Sequence, residues 1–274
     1  MRLLKSGGDI LQNPSELEGL GENIKSLLNT GWQVIVLHGG GPQTNLLQQQ
    51  IGITPNKIGG RRITGKQDLR VVKQAIAGEV NVRLTSALLA SGVPAFGCHG
   101  ASGRLIQATK RPPRIVSGSG SDPIDFGEVG DVTGINQNLL QGILDLAVVP
   151  VIATLGVAED GRIFNINADT TVTQIASKMK ARLLLLTTQI GGVFEDINNP
   201  QSRIGEITPD SAKQLIEAGV IQGGMIPKVE EAVALLDQGV ASIAIISPQD
   251  SNAFLSVANQ EGVCGTVIRK QEQH

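Results

Sequence analysis

Residues 223–229 read GGMIPKV and place a lysine, Lys228, in the first turn of a predicted helix. The amino end of a helix carries a partial positive charge and attracts anions, so a second positive charge there calls for an anionic partner. A phosphate chain is such a partner, because it can accept hydrogen bonds from the helix end and from the lysine together. Lys228 is therefore a candidate phosphate-binding residue, although a lysine considered alone is typical of the solvated surface.

Two glycine-rich turns follow predicted buried strands. HGGGP (38–42) comes after the apolar run WQVIVLH, and SGG (6–8) follows LLK, which leaves Lys5 at the end of the first strand. Such turns present backbone N–H groups beyond the carboxyl ends of parallel strands, where ligands bind. Glycine allows close approach to an anion, and we expect positive φ angles that form a nest of N–H donors. Either glycine pair alone is typical of a tight turn, but two pairs beside a lysine favour a phosphate site.

Several common catalytic motifs are missing from the sequence. There is no GxxxxGK[ST], and HGGGPQT lacks the last glycine of GxGxxG, so neither a P-loop nor a dinucleotide-binding turn is predicted. The absence of GxSxG and HExxH removes the usual hydrolase and zinc-peptidase signatures. These absences leave a phosphate site of a different design.

Composition limits the class of partner. Lys and Arg number 23 against 25 Asp and Glu, a net charge of -2 with no long basic run, which argues against nucleic-acid binding and favours small-molecule ligands. Cys98 and Cys264 lack the spacing of a zinc site or a disulfide framework. No apolar run is long enough for a signal peptide or a membrane span, so we expect a soluble cytoplasmic protein that does not bind membranes.

Apolar runs and amphipathic segments alternate along the chain. The runs are almost continuously apolar, as in strands buried on both faces of a parallel sheet. They comprise LLK at the start and residues 32–38, 93–98, 147–155, 182–188 and 241–247. Helical spacing is found at residues 15–29, 43–50, 67–91, 136–145, 169–180, 209–218, 225–238 and 251–260. This order predicts an α/β fold, an open three-layer αβα sandwich with a mainly parallel central sheet.

Two stretches interrupt this alternation. Residues 53–64 and 103–135 are rich in Gly, Pro, Ser and Arg, and we expect β-hairpins at the rim of the sheet that form a substrate lid. A chain of 274 residues with 41% hydrophobic content can bury one core with two lobes. No linker of biased composition divides it, so we expect a single domain over residues 1–274 with a soft boundary near residue 178.

Six segments together resemble the signatures of the amino acid kinase family, and within it most closely the acetylglutamate kinase branch. They are KxGG (5–8), HGGGP (38–42), GGRRIT (59–64), AGEVNVRL (77–84), FNINAD (164–169) and GGMIPKV (223–229), in order across essentially the whole chain. The resemblance implies ATP-dependent phosphorylation of the side-chain carboxylate of N-acetyl-L-glutamate to an acyl phosphate, a step of arginine biosynthesis. It also implies an acceptor-binding lobe at residues 1–178 and a nucleotide-binding lobe at 179–274.

The resemblance assigns catalytic roles to three residues. Lys5 matches the family lysine that contacts the transferring phosphoryl group, and Lys228 matches the one that holds the nucleotide phosphates. Asp169 matches the aspartate that orients both lysines, although alone it would be typical of a helix N-cap. A carboxylate acceptor is already ionised at neutral pH, so no general base is needed and the obstacle is repulsion between two anions. Two cations at the site would reduce that repulsion.

Acceptor-binding residues also follow from the resemblance. Arg62 and Asn165 match the residues that hold the α-carboxylate and the amide of acetylglutamate, and Asn167 is a weaker match from the same segment. A planar guanidinium can bind both oxygens of a carboxylate. Because Arg62 stands beside Arg61, a solvated arginine pair is the alternative interpretation.

The glycine turns match the phosphate-cradling segments of the family. The implied cofactor-binding glycines are Gly7, Gly8, Gly40 and Gly41, of which the last two also contact the acceptor. We expect His38 to form a hydrogen bond with the second turn. No histidine has a partner at metal-ligand spacing. We therefore expect ATP as the cosubstrate, with Mg²⁺ held by its phosphates and water and no metal ligand from the chain.

The sequence departs from the family pattern at three places. Thr188 stands where the family usually has an acidic residue, and residues 97–104 lack an acidic residue that is often found there. Asp9 follows the first glycine pair in place of a small or amide residue. Two alternatives therefore remain: a kinase of a related acceptor, such as an aminoadipate derivative on a carrier protein, and a catalytically silent homologue that senses nucleotide. Asn165 in NINAD favours the free acetylated amino acid, and the retained lysines favour an active enzyme.

A homodimer is also implied by the resemblance. We expect its interface on the long helical segment at residues 67–91, which has an apolar face. Arginine-inhibited members of the family assemble into hexamers through an N-terminal helix, whereas this sequence begins at the first strand. We therefore expect a dimer that arginine does not inhibit.

Overall fold

The helices lie close to the predicted positions. The computed structural model describes residues 2–6, 13–58, 61–115, 122–223, 225–260 and 264–270. Within these residues the α-helices are α1 (Pro14–Asn29), α2 (Gly41–Gln50), α3 (Lys66–Val72), α4 (Asn81–Ala90), α5 (Gln137–Asp145), α6 (Ala168–Lys178), α7 (Pro209–Glu217), α8 (Met225–Asp237) and α9 (Ala253–Asn259). A π-helical segment, Lys73–Val80, connects α3 to α4. None of the described helices is long and apolar enough to cross a membrane.

The strands include every predicted run and several short additions. They are β1 (Arg2–Ser6), β2 (Val34–His38), β3 (Lys57–Ile58), β4 (Arg61–Arg62), β5 (Ala95–His99), β6 (Ile106–Lys110), β7 (Val129–Ile135), β8 (Val149–Ala153), β9 (Leu155–Val157), β10 (Ile163–Ile166), β11 (Leu183–Thr187), β12 (Val193–Phe194), β13 (Arg203–Ile204), β14 (Glu206–Ile207), β15 (Ser242–Ile246) and β16 (Gly265–Arg269). The terminal strand β16 was not predicted, because its run GTVIR is short and half polar.

Eight of the described strands form one sheet in the order β14-β16-β15-β11-β1-β2-β8-β5. All neighbours in it are parallel except β15 and β16. The predicted mainly parallel sheet is therefore confirmed. The first strand lies in the interior of the sheet, with β2 on one side and β11 on the other, so it joins the earlier part of the chain to the later part.

Both faces of the sheet are covered, which explains why its strands lack polar alternation. Successive side chains of a strand point to opposite faces. In β2, Val34 and Val36 pack in a cluster with α1, α4 and α9, while Ile35 and Leu37 pack in a second cluster with α5, α6 and α8. A polar residue at any of these positions would lose hydration without gaining a partner. The result is the predicted three-layer arrangement.

The predicted hairpins are present, and one of them belongs to a small barrel that the sequence analysis missed. β3 pairs with β4, and β6 pairs with β7, in both cases antiparallel. β6 and β7 then close with β9 and β10 into a small barrel. β9 and β10 pair with each other locally, but at three and four residues their runs are too short to give a clear strand signal.

The β3–β4 hairpin is attached to the barrel through a glycine. Thr64 N–H donates to the carbonyl of Phe126 at 2.9 Å, and Glu128 N–H donates to the carbonyl of Thr64 at 2.6 Å. Between them, Gly127 adopts a φ of 73°. A Cβ added there would lie 2.3 Å from the Thr64 carbonyl oxygen. Only glycine allows both the backbone conformation and this close approach.

We expect Gly127→Ala to cost more stability than Gly161→Ala, although both glycines have positive φ. A Cβ at Gly161 meets no atom within 4 Å, so that variant loses only the conformational preference, about 1 kcal/mol. At Gly127 the added methyl also displaces the Thr64 backbone, for a total of about 2–4 kcal/mol. Urea unfolding of both variants measures the difference, and equal losses would contradict this account.

Candidate active site

The glycine turns converge at the carboxyl ends of the central strands. In the register of the sheet, Lys5 is level with Leu37 of β2 and Leu186 of β11, and Ser6 is level with His38. The end of β1 therefore lies between the HGGGP turn and the loop that follows β11. Ligands of open α/β sheets bind where the connections leave a central strand in opposite directions, as they do here. Gly7 and Gly8 lie outside the described residues.

A cavity of about 250 Å³ opens beside this end of the sheet. We call it the glycine-turn cavity. It brings together six of the predicted site residues, which are Gly40, Gly41, Arg62, Asn165, Asn167 and Asp169. Its other walls are supplied by Gly39, Thr44, Lys57, Arg61, Val72, Ile76, Arg111, Phe126, Val129, Thr154, Ile166 and Ala168. The cavity is thus bounded by the glycine turn, the start of α6, the β3–β4 hairpin and the barrel.

The conformation of the second glycine turn differs from the prediction. Gly39, Gly40 and Gly41 are not among the described residues of positive φ, and Gly40 has an extended φ of 170°. The reason for glycine is space instead. A Cβ on Gly40 would lie 3.0 Å from Cγ1 of Ile76, in the π-helical segment packed behind the turn. α2 begins at Gly41 without a side-chain cap, so the positive end of its dipole remains available to an anion.

His38 forms a hydrogen bond with this turn, as predicted, and the structure shows which ring nitrogen makes it. Its Nδ1 lies 2.8 Å from the carbonyl oxygen of Gly39, so Nδ1 carries the proton. Nε2 must then accept, and it lies 2.8 Å from the amide nitrogen of Asn81. The same amide nitrogen lies 3.1 Å and 2.9 Å from the carbonyl oxygens of Cys98 and Val151, so its two hydrogens are shared among three acceptors. Burial lowers the pKa of His38 from 6.5 to about 4, which agrees with a neutral ring.

The first turn of α6 separates the roles of two predicted residues. Asn167 is the N-cap, since its side-chain oxygen accepts a hydrogen bond from Thr170 N–H at 2.9 Å. The interpretation of Asp169 as the cap is therefore wrong. Asp169 lies in the first helical turn and faces the glycine-turn cavity. A carboxylate there is stabilised by the positive end of the helix.

Arg62 is half-buried, whereas its neighbour Arg61 is exposed, so the two do not form a solvated pair. The Arg62 guanidinium donates to the side chains of Gln48 and Asn45, and to the carbonyl of Gly41 at 3.3 Å. These contacts hold the β3–β4 hairpin against α2. Burial lowers the pKa of Arg62, an effect that the charge of Asp68 opposes. Arginine nevertheless remains charged at neutral pH.

Asn165 connects the barrel to the same hairpin. Its amide nitrogen donates to the hydroxyl of Thr64 at 3.1 Å, and its backbone N–H donates to the carbonyl of Glu128 at 3.0 Å. Thr64 is fully buried. The predicted acceptor residues Arg62 and Asn165 are therefore linked through the hairpin that carries Thr64. The supporting residues Asn45, Gln48 and Thr64 were missed, since single amides and hydroxyls carry no recognisable spacing.

Lys228 lies on α8 and lines a second cavity of about 740 Å³, which we call the Lys228 cavity. Helix α8 begins at Met225, as predicted. The walls of the cavity are supplied by Ile190, Gly192, Val193, Phe194, Glu195, Asp196, Ile197, Gly219, Val220, Ile221, Gln222 and Met225. It is therefore an apolar space with a cation and two carboxylates at its edge, next to the loop after β11.

Thr188 has a clear role in that loop despite its departure from the family pattern. Its hydroxyl accepts a hydrogen bond from Gly191 N–H at 3.0 Å, and its own N–H donates to the carbonyl of Ile246. A hydroxyl can close such a turn as a carboxylate does. The loop between β11 and β12 is thus held without an acidic residue at this position.

The described residues contain no group of three or more His, Cys, Asp or Glu side chains placed to hold a metal ion. Asp169 is the carboxylate that lines the glycine-turn cavity among them, and Glu195 and Asp196 line the Lys228 cavity. One or two carboxylates in a cavity suit an ion whose remaining ligands are phosphate oxygens and water, as is usual for Mg²⁺.

Comparisons with known proteins agree with this geometry. Residues 1–247 match the model of the amino acid kinase family. This chain belongs to the amino acid kinase family. It is 41% identical over 266 residues to an acetylglutamate kinase of Anaeromyxobacter sp. (strain Fw109-5), covering 97% of this chain and 98% of that protein. It is 34% identical to an acetylglutamate kinase of Methanocaldococcus jannaschii, covering 98% and 90%.

Solved structures share the fold of this amino acid kinase. The protein smu.665 from Streptococcus mutans UA159 superposes with a TM-score of 0.74 at 28% identity, over 98% of both chains. Giardia carbamate kinase superposes with a TM-score of 0.68 at 16% identity, over 98% of both chains. At that identity the second likeness shows the fold alone. The predicted fold class is thereby confirmed.

We expect the unfolding free energy to decrease as the pH falls from 6.5 towards 4. In this window the unfolded chain protonates His38 while the folded protein keeps it neutral, because Nε2 faces a donor. The folded pKa is below the unfolded pKa, so the stability is complete above pH 6.5 and about 3 kcal/mol is lost by pH 4. Urea unfolding at several pH values tests this, with His38→Gln as the comparison. If the unfolding free energy of the wild type and that of His38→Gln change equally with pH, His38 is not the cause of the loss.

Proposed function

We propose that this chain transfers the terminal phosphoryl group of ATP to the side-chain carboxylate of N-acetyl-L-glutamate. The observation that carries the proposal is the glycine-turn cavity, where the amino ends of α2 and α6 meet Arg62 and Asn165 at the carboxyl edge of the sheet. Relatives that are 34% to 43% identical over nearly the whole chain are acetylglutamate kinases, which supports the same acceptor. The product would be an acyl phosphate used in arginine biosynthesis.

The chemistry requires charge compensation more than proton transfer. An oxygen of the acceptor carboxylate bonds to the γ-phosphorus while the bond from that phosphorus to the β–γ bridging oxygen breaks, and ADP leaves with the electron pair. The carboxylate is ionised already, so no base is needed. The N–H of Gly41 at the amino end of α2 is positioned to stabilise a transferring oxygen. Lys5 and Lys228 neutralise the phosphates, and Asp169 orients the two lysines.

The two cavities suit two lobes. We assign residues 1–178 to the acceptor, because they supply the whole lining of the glycine-turn cavity. We assign residues 179–274 to the nucleotide, because the Lys228 cavity has apolar walls that suit a base, with Lys228 at its edge. Mg²⁺ held through the nucleotide phosphates would shield their charge from the approaching carboxylate, and Asp169 is the residue best placed to meet it. A cytoplasmic location remains a prediction of the sequence.

The direct test is an assay of ATP consumption in which hydroxylamine traps any acyl phosphate. N-acetyl-L-glutamate is compared with glutamate, aspartate and N-acetyl-aminoadipate. We expect hydroxamate with acetylglutamate in clear excess over the others. Hydroxamate with the aminoadipate derivative alone would reassign the acceptor. ATP binding without hydroxamate from any acceptor would identify a silent homologue and end the proposal.

The same assay tests Lys228. We expect Lys228→Ala to lose nearly all phosphoryl transfer, because the leaving phosphate loses its cation, while the far-UV circular dichroism and melting temperature stay close to those of the wild type. Lys213→Ala on α7 is the control, since Lys213 is exposed and lines neither cavity. Full turnover of Lys228→Ala would show that this role is wrong.

We further propose that the active form is a homodimer. Val82 and Leu89 on α4 are 65% and 53% exposed, and Phe96 on the adjoining edge strand β5 is 48% exposed. Together they extend the apolar face predicted at residues 67–91, and an edge strand is a natural site of pairing. We expect the wild type to sediment as a dimer and Phe96→Lys to dissociate. Ile197→Lys, at an apolar residue elsewhere that is 63% exposed, should remain dimeric.

A further inference from the structure

The glycine-turn cavity contains a buried arginine that the sequence motifs did not indicate. Arg111 follows β6 immediately, and its side chain is 9% exposed. Its backbone N–H donates to the carbonyl of Val129 at 2.8 Å, which holds the chain against β7. Its Nε donates to Oδ1 of Asp131 at 2.8 Å, from the strand opposite. The guanidinium is therefore fixed in place while it lines the cavity.

The hydrogen bonds of Arg111 leave most of its donors for a ligand. A guanidinium has five N–H donors, and the contact with Asp131 uses the one on Nε. Within the described part of the chain, the structure records no acceptor for the two terminal nitrogens. These two nitrogens are not among the described buried side-chain atoms that lack a partner, so they remain accessible from the cavity. A ligand anion there can accept charge-assisted hydrogen bonds from both.

Asp131 does not neutralise Arg111 alone. Its second oxygen, Oδ2, accepts from Arg114 at 2.6 Å, so one carboxylate is shared by two guanidinium groups. The cluster keeps a net positive charge. Arg114 is 51% exposed and does not line the cavity, whereas Arg111 does. The excess charge is therefore available to a ligand on the Arg111 side.

Arg62, the other partly buried arginine that lines the cavity beside the exposed Arg61, is more heavily engaged. The terminal nitrogens of Arg62 already donate to Gln48, Asn45 and the carbonyl of Gly41. A carboxylate bound by Arg62 must share or displace these contacts. The proposed acceptor has two carboxylates, of which the side-chain one has to face the glycine turn for phosphorylation. Its α-carboxylate needs a cation elsewhere in the same cavity.

We propose that Arg111 binds the α-carboxylate of the acceptor from the barrel side and thereby selects acceptors that carry this second charge. Arg62 approaches the same carboxylate from the hairpin side. Asp131 is a positioning residue that aims the guanidinium through Nε. This inference rests on the proposed function, because it presumes a dicarboxylate acceptor in the glycine-turn cavity.

The test compares Arg111→Gln with Arg114→Gln, since both arginines pair with Asp131 but only one lines the cavity. The acceptors are N-acetyl-L-glutamate and its α-carboxamide, which keeps the side-chain carboxylate but lacks the α-charge. For Arg111→Gln we expect the KM of acetylglutamate to rise by about 30-fold, the strength of a lost charged hydrogen bond, with little change in kcat or in the KM of ATP. The carboxamide should react equally slowly with the wild type and with this variant. Arg114→Gln should match the wild type.

Other outcomes would overturn the inference. An equal loss with both acceptors, or the same defect in Arg114→Gln, would assign Arg111 a structural role in the barrel. If Arg111→Gln does not fold, Arg111→Lys takes its place, because lysine keeps the positive charge but not the planar pair of donors. An unchanged KM for acetylglutamate in that variant would contradict the proposal.

Failure of the proposed function is recognised separately. It appears as a wild type that makes no hydroxamate with any acceptor. In that case, calorimetric titration with N-acetyl-L-glutamate decides about Arg111. Binding by the wild type that Arg111→Gln loses supports the inference, and equal binding by both, or none by the wild type, overturns it.

Discussion

The parallel pairing of β1 with both β2 and β11 is the constraint on which the site depends. Because the three strands run in the same direction, their carboxyl ends meet at one edge, and the turns that follow them face a common space. The continuous apolar character of β2 and β11 places their side chains in the cores on both faces of the sheet. The glycine turn and the start of α2 are then presented on a rigid support.

The rigidity of that support is extended by buried polar contacts. Asn81 donates to the neutral ring of His38 and to carbonyls of β5 and β8, so one amide joins three strands of the sheet. A network of this kind is stable only when every member is satisfied. The π-helical segment before Asn81 also places Ile76 behind Gly40. The same element therefore sets both the position of the turn and the need for glycine in it.

The charge of the cavity contrasts with that of the whole chain. The net charge of the protein is -2, yet among the described residues the glycine-turn cavity is lined by four cationic side chains and one carboxylate. The cations are Lys57, Arg61, Arg62 and Arg111, and the carboxylate is Asp169. Clefts that concentrate one sign of charge raise the local concentration of oppositely charged substrates. A local excess of this kind suits two anionic substrates that repel each other in water.

The sequence by itself determined the alternating elements, the parallel sheet, the glycine turns and the position of Lys228, because these follow from local periodicity and from the short-range chemistry of helix ends. The sequence motifs also resemble those of the family, and this resemblance identified Arg62, Asn165 and Asp169 as candidate site residues. Only the tertiary structure decided the closed barrel, the tautomer of His38, the partners of Arg62 and the burial of Arg111. These features involve contacts between residues separated along the chain, such as Asn165 with Thr64 and His38 with Asn81, and no local pattern encodes such contacts.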